Sequence, residues 1–342
     1  MESKRVKQQK KKQRRLLLLL LLLVCSGVLF GTTTYAWFTA NKTVTVDPID
    51  VNVEAKSGLQ ISADGETWKS VISNADLKGA SATYAAAVNQ IPSMIEPVST
   101  AGAVNEGGKM EMFLGSVSTN DTGEWLLSST ESVEENRTDA GSFVAFDIFL
   151  RTEKAGQIYL TTNSGVKFTD EQDKGIKNAT RVAFVVLGNT PSDSELDIIQ
   201  GLNGGTSSPV TIWEPNAGSH TTYGVNNAKE VYGVDSLDAG KIDNAPVSYD
   251  GIKAEFTTDK NITIDDATAT SHSDEFAAVN PAIKTNDGFT DYQALINLSR
   301  GITKVRVYMW IEGQDVDCEN NASGGNIQFN LQMSTNSSAD GA

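Results

Sequence analysis

SFVAFDIFLR, residues 142–151, is the stretch on which the fold turns. Its apolar side chains stand at consecutive positions, so a strand built here has two dry faces and belongs inside a sheet. TRVAFVVL (Thr180–Leu187) repeats the pattern. Toward the C-terminus TKVRVYMWI (Thr303–Ile311) reads as another strand, preceded by DYQALINL (Asp291–Leu298), a strand or a short helix. Gly324-Gly325 then turns into IQFNLQM (Ile327–Met333), where Ile327, Phe329, Leu331 and Met333 share one face. Alternation of the same kind opens the body of the chain, with Val44 and Val46, then Ile49, Val51 and Val53. Strong strands at both ends fit an antiparallel β-sandwich in which first and last strands meet.

The stretches between these runs are turns and loops. Pro48 separates the two valine runs, which makes the first an edge strand or a detached arm. Asp64-Gly65 lies between Leu59/Ile61 and Trp68/Val71 and signals a hairpin. Ala75–Val88 has room for one short helix, and residues 99–141 read as loops around strands near Met110–Val117 and Trp125–Leu127. Ile158–Thr162 follows the central strand at hairpin distance. Residues 190–247 are the most polar stretch and read as a long loop or insertion. No Pro/Gly-rich linker divides two cores, so residues 37–342 are expected to form a single domain.

The N-terminus is of another kind. Eight basic residues between Lys4 and Arg15 precede Leu16–Phe30, an uncharged apolar run, and then GTTTYAWFT. Basic head, apolar middle and small-residue end form an export signal. Two fates are open. Cleavage after Ala36 would leave Trp37 as the new N-terminus, whereas the uncharged stretch Leu16–Asn41 is long enough to remain as a membrane anchor. Either way the body faces outside the cytoplasm. Net charge is −15, and without residues 1–15 the chain carries 20 basic against 42 acidic residues. Such a body has no basic stripe for phosphates, which excludes nucleic acid as a partner. Cys25 and Cys318 are the only cysteines, so stability rests on the core and not on a disulfide framework.

Chemistry-bearing motifs are scarce. Only His220 and His272 are present, there is no HExxH helix, and no GxSxG elbow, phosphate loop or dinucleotide fingerprint occurs. An enzyme is therefore not expected, nor is a cofactor. Asp315, Asp317 and Glu319 alternate in GQDVDCENN and are calcium candidates, against the plainer reading of a solvated acidic hairpin loop. His220 reads as a surface residue satisfied by a loop carbonyl, Cys318 as a small buried residue at a strand end, and Trp213 and Trp310 as core anchors.

TYAWFT followed by KTVTVDPIDVNVEAKSGLQIS resembles the TasA/camelysin-like exported proteins of Gram-positive bacteria, whose SipW-type signal is cut at a T-x-A-x-F region matched here by Thr34, Ala36 and Phe38. PVST (Pro97–Thr100), FDIFL (Phe146–Leu150), IWEPN (Ile212–Asn216) and WIEGQDVDC (Trp310–Cys318) are similar to segments of the same broad group. The resemblance implies a jelly-roll sandwich and, for its best-known members, biofilm-matrix fibres in which the new N-terminal segment adds a strand to the next subunit. Lys42–Val53 is the matching donor, with Val44, Val46, Ile49, Val51 and Val53 as pocket fillers, and an ordinary first strand within the monomer is the alternative. Self, matrix or surface proteins and a signal peptidase are the implied partners. A membrane-anchored adhesin using residues 190–247 is the second reading. An extracellular hydrolase, suggested only by the protease label of camelysin, is the third.

Overall fold

A computed structural model describes residues 43–46, 49–54, 58–87, 89–119, 121–122, 125–133, 139–169, 175–224, 226, 249–259, 274–318 and 325–338. All of them fall in one compact unit, Trp37–Ala342. The export segment, the cleavage pair Ala36 and Trp37, Pro48, Glu319, His272 and most of 225–248 lie outside the described residues. Within them no helix is long and apolar enough to cross a membrane.

The chain is predominantly β. Its strands begin with β1 (Val44–Val46), β2 (Asp50–Val53), β3 (Gln60–Ser62), β4 (Val71–Ile72), β5 (Met94–Ile95), β6 (Phe113–Thr119) and β7 (Trp125–Glu131). They continue with β8 (Ala140–Gly141), β9 (Val144–Thr152), β10 (Gly156–Leu160), β11 (Gly165–Phe168), β12 (Thr180–Thr190) and β13 (Val210–Glu214). The last are β14 (Tyr249–Ile252), β15 (Phe256–Asp259), β16 (Phe276–Val279), β17 (Ile283–Lys284), β18 (Gln293–Leu298), β19 (Gly301–Ile311) and β20 (Asn326–Ser334). Helix is limited to α1 (Asn74–Gly79), a 3-10 turn at Ala80–Ala82 and α2 (Leu196–Gln200). Ser73 caps α1 with a capping box: its side chain accepts the Asp76 N–H, and the Asp76 carboxylate accepts the Ser73 N–H.

The six-stranded sheet runs β17-β13-β12-β19-β9-β3. Its centre is an antiparallel trio of the three apolar runs read as strands from the sequence, β12, β19 and β9, with Thr180 opposite Ile311 and Val144 opposite Met309. Every residue of β19 is buried, and β9 is buried at all positions but Arg151. One face of the trio carries Ala145, Ala183, Val185, Tyr308 and Trp310, covered by Val98, Val104, Met110 and Met112 from the preceding loops. Each Val or Met among them contributes ~1.5–3 kcal/mol when fully removed from water.

The nine-stranded sheet is organised around β20. One edge of β20 pairs antiparallel with β10 and β11; the other pairs parallel with β1 and β2. Its alternation is as read from the sequence: Ile327, Phe329, Leu331 and Met333 are buried and the intervening residues half-buried.

Three expectations need correction. First, β1 is neither an edge strand nor a detached arm, because β5 covers its far side and β20 its near side. Second, β10 does not form a hairpin with β9. Both neighbours of β9 are already β19 and β3, so the chain crosses to the other sheet, where β10 pairs with β18 and β20. Third, of the two readings of residues 190–247, a long loop or an insertion, the loop does not hold over the described part, 190–224, where α2 and β13 bury Ile199, Ile212 and Trp213. Of the two readings left open for Asp291–Leu298, the strand is the one that forms, as β18 over Gln293–Leu298.

The Asp64-Gly65 hairpin is present. Ile61 and Lys69 exchange both backbone hydrogen bonds across it, and Gly65 takes φ +77°, open to glycine at little cost. Asp64 Oδ1 accepts the N–H groups of Glu66 and Thr67, and Oδ2 accepts the Thr83 hydroxyl. Burial opposes its charge, but hydrogen bonds from Thr67, Glu66, Ser62 and Thr83 outweigh it and pull its pKa to about 2. Its contribution is therefore present above the ordinary value of 3.8 and lost as the pH falls through about 2. Asp64→Ala should cost about 2 kcal/mol in urea unfolding at neutral pH. A loss below a few tenths would show that this turn is held by its flanking strands alone.

Candidate functional site

β12 begins where β13 and β19 end, so three connections meet at one end of the six-stranded sheet: residues 175–179, 215–224 and 312–318. They enclose the densest set of buried ionisable groups in the described chain. Arg181 lies one residue into β12, directly opposite Trp310, and is 1% exposed. Its Nη2 donates to Asp315 Oδ2 at 2.7 Å and faces Glu214 Oε1 at 3.0 Å. Nη1 donates to the carbonyls of Asn178 and Thr180.

Asp317, 1% exposed, sits deepest in the group. Its Oδ1 accepts the N–H and hydroxyl of Thr221, and its Oδ2 accepts Asn178 Nδ2 at 3.0 Å. His220 Nδ1 stands 3.1 Å from Asp317 Oδ2 and 3.8 Å from Asp315 Oδ1. The Asp317 N–H in turn donates to Asp315 Oδ1. Backbone closes the remaining space: a Cβ on Gly224 would lie 2.5 Å from Asp317 Oδ1. Cys318 is buried beside the group and donates its N–H to the Asp315 carbonyl.

Charge in this volume is compensated by neighbours and not by water. For His220, burial disfavours the imidazolium, but the hydrogen bond to Asp317 and the charges of Asp315 and Asp317 outweigh it and raise its pKa. Glu312, fully buried at the end of β19, accepts from Trp310 Nε1 and the Gln314 N–H. Burial dominates there and raises its pKa to about 7, against those hydrogen bonds and the Arg181 charge.

Sequence reasoning placed Asp315 and Asp317 in a solvated loop and His220 at the surface. The structure corrects both. The turn tucks inward because Arg181 and three backbone or amide donors satisfy its carboxylates, and His220 bonds a carboxylate and not a carbonyl. Two of the segments singled out from the sequence, IWEPN and WIEGQDVDC, supply opposite walls of this cluster. Trp213 and Trp310 are fully buried, as expected. His220, Asp315 and Asp317 bring potential metal-ligand atoms within 4.8 Å of one another. The candidate donor residues Val44, Val46, Ile49, Val51 and Val53 are elsewhere, all buried against their own chain.

A second charged cluster escaped the sequence reading. Asp147 on β9 lies directly across from Arg306 on β19, and Arg306 Nε and Nη2 reach its two oxygens at 2.7 and 3.1 Å. Lys304 Nζ donates to the Tyr84 hydroxyl at 2.6 Å and to the carbonyls of Gln200 and Leu202. Burial lowers the Lys304 pKa and raises that of Tyr84. The available signal was charge inside apolar strands, Asp147 in SFVAFDIFLR and both Lys304 and Arg306 in TKVRVYMWI. This cluster ties Tyr84 and the end of α2 to the sheet.

Compared with protein-family models, curated proteins and solved structures, the chain matches none.

Two substitutions test this cluster. Arg181→Met should cost about 3–5 kcal/mol, because it leaves buried carboxylates without their cation. Glu312 keeps a proton when folded that it gives up when unfolded. Its contribution is thus fully present below the ordinary 4.5 and lost as the pH rises through about 7. Glu312→Gln should flatten the decline in thermal stability between those values, and an unchanged pH profile would refute the assignment.

Proposed function

We propose that the chain is an exported structural protein of the cell surface or extracellular matrix, a jelly-roll-type β-sandwich whose N-terminal segment links copies into fibres. The observation that carries this reading is the seating of β1 and β2. Both run parallel to β20, so neither belongs to a hairpin with it, and such a seat is compatible with a strand supplied by another copy. Val44, Val46, Ile49, Val51 and Val53 fill buried positions along that seat. Thr45 pairs with Asn326 and Asp50 with Asn330, so the bonds are backbone bonds that any copy of the segment would reproduce.

A seat of this kind supports strand exchange. The segment makes the same contacts whether it comes from its own chain or from a second copy, and a head-to-tail exchange does not close, so it yields filaments. Cleavage between Ala36 and Trp37 would free the segment from the export signal. The acidic body, −22 without its first fifteen residues, keeps the subunits soluble until exchange occurs. Nothing in this role requires catalysis.

The test uses the chain beginning at Trp37, with and without a synthetic peptide spanning Lys42–Glu54. Filaments should form with rising concentration and be visible by electron microscopy. Excess peptide should stop their growth while circular dichroism shows the subunit still folded. A chain that stays monomeric at every concentration, unaffected by the peptide, would sink the proposal and leave β1 and β2 as ordinary strands of the monomer.

A further inference from the structure

We infer that the outer edge of β6 is a docking surface for the same strand of a second copy of this chain. The two strands pair antiparallel about a two-fold axis, so that two three-stranded sheets become one of six. β6 ends its own sheet, whose order is β15-β7-β6. At seven residues it is the longest strand standing at a sheet end among the described residues. Folded proteins keep such edges short, charged or covered. β17 and β8 have two residues each, and Ile61 of the three-residue β3 bonds outward to Lys69. β18, with six residues, has its Leu295 carbonyl taken by the Thr211 hydroxyl. β6 has no such cover.

Backbone accounting along the strand shows which groups are open. The Met112 carbonyl accepts the Ser132 N–H, so the even-numbered residues bond toward β7 and the odd-numbered ones face outward. Phe113, the first of these, exchanges both of its bonds with Ser99. Continued by one step, that neighbour would set Pro97 opposite Gly115, and proline has no N–H to give. Val98 meanwhile donates to the Ile311 carbonyl and accepts the Gly313 N–H, which draws its segment toward β19. Gly115, Val117 and Thr119 therefore have no backbone partner among the described residues.

An open edge takes an extended strand, and charge identifies the strand as this one. Without residues 1–15 the chain carries 42 acidic against 20 basic residues, so two copies repel over most of their surface. Met112–Asn120 contains no charged residue. Self-pairing sets residues of one strand against each other, and like charges directly opposite would forbid it. With the axis at Val117, Val117 faces its own counterpart and Gly115 faces Thr119. Each such pair exchanges two backbone bonds, about six in all. The contact is isologous and closes at two copies. It goes beyond exchange of the N-terminal segment and does not depend on it; added to filaments, it links them side by side.

The experiment uses the chain from Trp37, with excess Lys42–Glu54 peptide present to block N-terminal exchange. Sedimentation equilibrium should find a dimer that forms reversibly as concentration rises. Val117→Lys and Val117→Glu each set like charges opposite one another, and each should stay monomeric where the wild type is a dimer. Mixed in equal amounts, the two should pair, because each charge then meets its opposite. Val117→Pro removes only an N–H that the fold leaves unused, so it should abolish the dimer with the circular dichroism unchanged, and it serves where a charged variant does not fold. Association through the N-terminal segment is indifferent to residue 117, which keeps the two contacts distinguishable. Three results would overturn the inference: a wild type monomeric at every concentration, folded Val117 variants that associate as the wild type does, or folded Lys and Glu variants that do not pair when mixed.

Discussion

The six-stranded sheet depends on β19 having both backbone edges paired along its length. All eleven of its residues are buried, so no water is available to any N–H or C=O that loses its partner. β12 and β9 supply the partners over Thr180–Thr190 and Val144–Thr152. An unpaired buried backbone group costs about 1–3 kcal/mol. Register is thereby fixed, and with it the position of every charged side chain the three strands carry. A slip of one residue would turn Arg306 away from Asp147 and Arg181 away from Glu214 and Asp315.

Those charges form two compensated groups, one built on Asp147 and one on Arg181. The Asp147 group has more cation than anion, with Arg306 and Lys304 against a single carboxylate, and carbonyls of Gln200 and Leu202 share the excess. The Arg181 group is the reverse, with Glu214 and Asp315 on one guanidinium and Asp317 beside them against His220. Buried pairs of this sort add little net stability compared with apolar packing, but removing one partner is costly. Their effect is to bind particular loops to the sheet: Tyr84 and α2 in one case, the three connections in the other.

Much of the fold was legible because it is written in local pattern. Consecutive apolar residues marked β9, β12 and β19, alternation marked β20, and Asp64-Gly65 marked its hairpin. What failed was long-range. Nothing local in Ile158–Thr162 states that the edge of β9 is already occupied, so β10 was assigned to the nearer strand. The candidate cluster was legible only in fragments. Asp315 and Asp317 look like a wet turn until Arg181, more than 130 residues earlier, is brought beside them. His220 looks like a loop residue until Asp317 is beneath it. Charges within apolar strands were the overlooked signal, since a lone Asp or Arg in such a run must find its counterpart across the sheet.

β20 follows the other described strands in the chain, yet both flanks of the nine-stranded sheet are built on it. Val46 waits for Ile327, and Val53 for Met333. Contacts so distant in sequence are slow to form and cannot form at all on an incomplete chain. Until β20 has been synthesised, β1 and β2 therefore have only β5 and β4 beside them, and the two flanks of the sheet stay unjoined.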